Sequence, residues 1–127
     1  MSKFSTASVT PIHLLIDFVV DDEELLLEPE PAVRHLRESV VAGGATVLQQ
    51  HTHQFEPRGY SAILILAQSH ASIHTWPEDH LMSIDVFACG PIDIDTILGS
   101  LRAAFRPTSE RIEQRERGVV GLVAPKA

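Results

Sequence analysis

The sequence predicts an α+β fold: a two-layer sandwich in which a largely antiparallel sheet carries two helices on one face. Three observations predict it. Strand-like and helix-like runs follow one another as strand, helix, several strands, helix, strand. The strand-like runs of the middle third are separated by short breaks, Pro57-Arg58-Gly59 and Pro77-Glu78-Asp79-His80, built from turn-forming residues. Apolar residues at helical spacing occur in two places only, near residues 31–42 and 93–105.

The first strand is Ile12 to Val20, rich in apolar and β-branched residues. An acidic stretch, Asp21-Asp22-Glu23-Glu24, and the prolines Pro29 and Pro31 then prepare a helix N-terminus. That helix is expected from about Pro31 to Ala42, with Val33, Leu36, Val40 and Val41 on one face, closed by Gly43-Gly44 in the left-handed cap conformation. Ala45 to Phe55 reads as a second strand. Ser61 to Gln68 is a third, apolar on both faces and therefore expected to be buried. Ser69 to Trp76 and Leu81 to Cys89 follow as two more strands. A second helix starts near Asp93, with Ile94, Ile97, Leu98, Leu101 and Phe105 on one face, and Glu110 to Arg117 forms a polar last strand.

At 127 residues the chain has room for a single domain with one core. Its longest apolar run, Ala62 to Ala67, is too short to span a bilayer, and Met1 to Ser8 lack the apolar stretch of a signal peptide. A cytoplasmic protein without membrane partners is expected. The net charge of −7, with scattered Lys and Arg, argues against nucleic-acid binding. The lone Cys89 excludes an intrachain disulfide. Seven histidines raise the question of metal. His51-Thr52-His53 and the pair His70 and His74 are candidates, but a metal site needs a third ligand and supporting partners, so none is expected. A small sheet covered by helices on one face leaves its other face needing a partner, and a homodimer is the expected assembly.

The stretch Gln68-Ser69-His70-Ala71-Ser72-Ile73-His74-Thr75-Trp76-Pro77-Glu78, with Asp85-Val86-Phe87-Ala88-Cys89-Gly90, places a hydroxyl, an imidazole and a thiol on neighbouring strands. A hairpin turning about Asp79 pairs residues whose numbers sum to roughly 158, setting Ser69 opposite Cys89 and His74 opposite Ile84. Taken singly, each residue has a plainer reading. Ser69 is then a structural strand residue, His74 a hydrogen-bonded histidine, Cys89 a small buried hydrophobe and Glu78 a solvated turn residue.

The string as a whole closely resembles the signature of the bacterial and archaeal S-adenosylmethionine decarboxylase precursors. The resemblance extends to His13-Leu14-Leu15-Ile16-Asp17-Phe18, Gly44-Ala45-Thr46-Val47-Leu48, His53 to Ser61 and Glu116-Arg117-Gly118, covering nearly the whole chain. It implies a self-processing precursor, cleaved between Gln68 and Ser69 into a β chain (1–68) and an α chain (69–127). Ser69 attacks the carbonyl of Gln68, the amide becomes an ester, and elimination leaves a pyruvoyl group at residue 69 as the cofactor. The resemblance assigns helper roles in that reaction to Ser61 and His74, and protonation of the decarboxylated carbanion to Cys89. The pyruvoyl carbonyl forms a Schiff base with an amino-acid-type substrate and accepts the electrons released with CO2. Phe55 matches a position used against adenine and Glu78 one used on the ribose hydroxyls; Trp76 and Asp79 complete the candidate substrate contacts.

Some residues depart from the family pattern. Gln68 stands where the family has glutamate, and Asp79-His80-Leu81-Met82-Ser83 replaces a Tyr-Gly and small residues. Two alternatives therefore stay open: a pyruvoyl-dependent ornithine or arginine decarboxylase, with Asp79 pairing a cationic side chain, and an unprocessed homologue acting as a partner subunit.

Overall fold

The computed structural model describes residues 10–119 and 122; the signal-peptide reading of Met1 to Ser8 lies outside them. Among the described residues run six strands and three α-helices: β1 (Ile12–Val19), α1 (Glu23–Leu27), α2 (Pro29–Ala42), β2 (Val47–Gln54), β3 (Tyr60–Leu66), β4 (Ser69–Trp76), β5 (Leu81–Ala88), α3 (Ile94–Phe105) and β6 (Ser109–Glu116). The strands form one sheet in the order β2-β3-β4-β5-β1-β6, and every pairing is antiparallel.

Side-chain alternation decides which face the helices cover. Leu14, Ile16 and Phe18 of β1, Tyr60, Ala62, Leu64 and Leu66 of β3, Ala71 and Ile73 of β4, and Met82, Ile84, Val86 and Ala88 of β5 are buried. Against them lie Leu25 and Leu26 of α1, Val33, Leu36 and Val40 of α2, and Ile97, Leu101 and Phe105 of α3, making one core. The residues between, such as Ser61 and Ile63 on β3, are only half-buried, because none of the described residues packs on the second face of the sheet. That corrects the expectation that β3 is buried on both sides. Val41 is also off the core face, at 50% exposure.

The fold has one helix more than expected. Asp22 caps α1 by accepting from the Glu24 N–H at 3.1 Å, so the acidic stretch begins a helix of its own. Two hydroxyls from the sheet dock it: Tyr60 donates to the Leu25 carbonyl at 2.6 Å and Thr75 Oγ1 to the Leu26 carbonyl at 2.9 Å. Burial pushes the Tyr60 phenol well above its ordinary range, so it remains a donor. At the end of α2 the two glycines act differently. Gly44 takes the left-handed torsion, φ 102°, whereas Gly43 is needed for space, since a Cβ there would meet Ile97 Cγ1 at 2.4 Å.

Tyr60→Phe removes the donor to α1 while keeping the ring. It should lower stability by about 1–3 kcal/mol, the cost of a lost buried hydrogen bond, read as a shifted denaturant midpoint at unchanged slope. A midpoint equal to the native one would show that α1 is held by apolar contact alone.

Candidate functional site

The connection between β4 and β5 fixes the site. Pro77–Asp79 form one turn of 3-10 helix and His80 turns left-handed, φ 52°. Four residues thus separate the paired Trp76 and Leu81. The expected register is corrected by one residue: Ser69 faces Ala88 and His74 faces Ser83. The turn has an even number of residues, so its centre falls between Glu78 and Asp79 rather than on Asp79. Cys89 consequently lies opposite Gln68, and its N–H donates to the Gln68 carbonyl at 3.1 Å. Its thiol donates to the same oxygen at 3.6 Å. Two donors converge on the carbonyl that Ser69 is expected to attack, the arrangement that stabilises a developing oxyanion.

Gln68 and Ser69 stand at a two-residue hairpin connection, since Leu66 pairs with Ser69. Such hairpins ordinarily place positive φ within the loop. Here Ala67 and Gln68 do not take it and Ser69 does, at φ 134°. A non-glycine residue in that region carries strain of order 1–3 kcal/mol. Ser69 Oγ lies 3.5 Å from His70 Nδ1. The Gln68 side chain is turned away from the serine: its Oε1 accepts from the Thr46 N–H at 3.1 Å.

On the uncovered face, β4 presents His70, Ser72, His74 and Trp76. Asp85 is the hub of the middle. It accepts from Ser72 Oγ, from His13 Nε2 at 2.6 Å, and has His70 Nε2 at 3.8 Å. Arg117 donates to His13 Nδ1 at 3.0 Å and lies over the Phe87 ring at 5.2 Å. Because a guanidinium only donates and a carboxylate only accepts, His13 is fixed as the Nε2–H tautomer. Beside this hub, Ser83 and Arg111 both donate to Asp17, at 2.7 and 2.9 Å. The Ser83 hydroxyl first, then Arg111, hold that carboxyl below its ordinary value of 3.8 against the opposing effect of burial.

The other end of β4 holds the remaining candidates. Ser61 Oγ and His74 Nδ1 share a hydrogen bond of 2.6 Å. Trp76 is 45% exposed with its ring 6.4 Å from that of His74, and Phe55 is 46% exposed with its ring edge-on to His53 at 4.7 Å. Glu78 and Asp79 are exposed in the turn. The structure therefore gathers Gln68, Ser69 and Cys89 at one end and Ser61, His74, Trp76, Phe55 and Glu78 towards the other. Five residues of strand separate Ser69 from His74, about 17 Å at the usual rise. A single chain does not bring the two groups together.

Between them lie two adjoining open cavities of about 420 and 390 Å³, both bordered by Ser72 and His74. His51, His53, His70 and His74 all line the smaller one. Among the described residues no group of three or more His, Cys, Asp or Glu could hold a metal ion. Sequence reasoning missed Asp85, His13 and Arg117 as members of the site. In the expected register Asp85 pairs with Ile73 and falls on the helix side of the sheet; the observed pairing with Ser72 puts it on the open face.

Residues 12–118 match the model of the S-adenosylmethionine decarboxylase family. The chain belongs to that family. It is similar to the S-adenosylmethionine decarboxylase proenzymes of Thermoplasma acidophilum (37% identical, over 84% of this chain and 82% of that one) and Hydrogenobaculum sp. (36%, over 90% and 86%). Among solved structures, the adenosylmethionine decarboxylase from Aquifex aeolicus aligns with a TM-score of 0.80 at 30% identity, covering 94% of this chain and 100% of that one. The family assignment read from the signature is borne out, as is the decarboxylase class and the α+β fold.

Membership sharpens the question of Gln68. Its only polar side-chain contact among the described residues is to Thr46 N–H, which a carboxylate accepts from equally well. Gln68→Glu should therefore cleave at least as fast as the native chain, followed by denaturing mass spectrometry of freshly made protein. An uncut Gln68→Glu beside a cut native chain would show that the amide itself is required.

Proposed function

We propose that this protein is a self-cleaving, pyruvoyl-dependent S-adenosylmethionine decarboxylase that supplies the aminopropyl donor for polyamine synthesis, working in the cytoplasm as a homodimer of cleaved αβ units. The observation that carries the proposal is the Gln68–Ser69 linkage. Its serine is strained at φ 134° and its carbonyl accepts from both the N–H and the thiol of Cys89. These are the requirements for turning that amide into an ester: a positioned hydroxyl, donors for the charge on the carbonyl oxygen, and relief of strain on cleavage.

The residues suit a pyruvoyl group at position 69. That group supplies a carbonyl able to take up the electrons released when CO2 leaves an amino-acid substrate. The Cys89 thiol holds a proton at Sγ beside the same position and faces the Gln68 carbonyl oxygen at 3.6 Å. Phe55 and Trp76 offer exposed aromatic faces and Glu78 an exposed carboxylate, a set suited to a nucleoside's base and ribose hydroxyls. The relatives' names favour S-adenosylmethionine over ornithine or arginine as the substrate.

The separation along β4 supports the proposed assembly. Ser61 and His74 stand on the uncovered face of the sheet, and Ser69 and Cys89 lie about five residues of strand away at the far end of β4. A second copy packed on that face about a two-fold axis sets the Ser69 end of one chain against the His74 end of the other, in both directions at once. Each site then draws on both copies, and the open face is covered.

Two experiments test this. Denaturing mass spectrometry of the native protein should show two fragments, 1–68 and 69–127, the second blocked by pyruvoyl, and CO2 release should be seen with S-adenosylmethionine. Ser69→Ala should remain one inactive chain. CO2 release by Ser69→Ala at the native rate would sink the pyruvoyl reading, and activity on ornithine or arginine alone would sink the substrate. For the assembly, Ser69→Ala and His74→Ala chains are expressed together. If sites are shared, the mixture should recover about a quarter of native activity, since random pairing makes half the dimers mixed and one of their two sites complete. No recovery would mean that each chain carries its own whole site.

A further inference from the structure

The self-cleavage proposed above needs a base for the Ser69 hydroxyl in its first step, and the imidazole beside that hydroxyl in the same chain is His70, the His74 of that chain lying about 17 Å away along the strand. We infer that His70 is that base, with Asp85 as its positioning residue. The inference rests on the self-cleavage reading and names a residue for its first step.

His70 Nδ1 is 3.5 Å from Ser69 Oγ and His70 Nε2 is 3.8 Å from Asp85 Oδ2. Both separations exceed a working hydrogen bond by a few tenths of an ångström, as catalytic contacts in resting structures often do. The ring is about one-third exposed, with its side chain at 34%, so small rotations close both gaps. The other nearby groups are committed. His13 Nδ1 accepts from Arg117, and the Cys89 thiol donates to the Gln68 carbonyl.

Asp85 sets the tautomer. A carboxylate facing Nε2 favours the proton on that nitrogen and leaves the Nδ1 lone pair free towards Ser69. Asp85 is itself held by two donors, Ser72 Oγ and His13 Nε2. The His13 ring is braced by Arg117 and lies 5.1 Å from the Phe87 ring. The carboxylate that orients His70 thus has both oxygens anchored.

The step balances. Ser69 Oγ forms a bond to the Gln68 carbonyl carbon as its proton passes to His70 Nδ1. The carbonyl π electrons move onto the oxygen facing the Cys89 N–H and thiol. On collapse they return, the C–N bond breaks, and the leaving Ser69 nitrogen takes the proton back from His70. An ester and a free amine result, with nothing added or lost.

The test follows the cutting of freshly made precursor by denaturing mass spectrometry. His70→Ala, at a partly exposed position, should cut about 100-fold or more slowly, the usual share of a general base, and added imidazole should restore part of the rate. The groups facing His70 are Asp85, His13 and, behind His13, Arg117. Asp85→Asn should cut more slowly, and Asp85→Glu should recover part of the lost rate, because a carboxylate there orients the ring. A His70→Ala chain that cuts at the native rate, or one that is slow and deaf to imidazole, overturns the assignment while leaving self-cleavage standing. A native chain that never cuts overturns both.

Discussion

The four-residue connection between β4 and β5 is the constraint on which the site depends. Because side chains alternate faces along a strand, shifting the pairing by one residue would exchange the two faces of β5 relative to β4. With Trp76 paired to Leu81, Ser72 meets Asp85 on the open side and Ala71 meets Val86 in the core. The same register carries one step beyond the strands and sets Cys89 against Gln68. Pro77 is buried in this turn and His80 takes a left-handed torsion there, so the connection is held by packing at one end and by backbone geometry at the other.

The open face carries polar side chains among apolar ones such as Ile63 and Phe87, where the opposite face is apolar throughout its centre, and its polar contacts orient more than they stabilise. The ion pair of Arg111 with Asp17 has an arginine side chain 82% exposed, where such pairs contribute little to folding. What they do is fix side chains on a surface with few alternatives. Asp17 is held by Ser83 and Arg111, and Asp85 by Ser72 and His13. The stability that permits this comes from the other side of the sheet, where Phe18, Tyr60, Leu64, Ile73 and Phe105 are fully buried.

Much of the fold was legible in the chain because its signals are local. The periodic apolar residues of α3, the β-branched run of β1 and the glycines after α2 each act within a turn or two of backbone. The signature around Ser69 was legible for another reason: it is a string rather than a geometry. What was not legible depends on tertiary context. Helix α1 is five residues long, below the length at which a helix stands alone, and it exists because Tyr60 and Thr75 reach its carbonyls. Val41 is expected on the core face, but it is half exposed while its neighbour Val40 fills the core. Asp85 joined the site only once the register was known, since its neighbours in sequence, Ile84 and Val86, say nothing of Ser72 or His13.

The position of the proposed cut would let the chain break there and keep its fold. Ser69 begins β4, and the hairpin joining it to β3 is only Ala67 and Gln68. Cutting there removes a covalent link but no rung of the sheet, for β4 remains between β3 and β5, paired from Ser61 to Leu66 on one side and along its whole length on the other. A new end at Gln68 would stay fastened as well. Its Oε1 accepts from the Thr46 N–H, and the neighbouring Ala67 N–H donates to the Thr46 carbonyl at 2.9 Å. What such a cut would change is local: the left-handed torsion at Ser69 would no longer have to satisfy a closed turn. Strain concentrated in one residue at the mouth of a hairpin would be released by breaking the bond beside it, while the hydrogen bonds that define the sheet would be left in place.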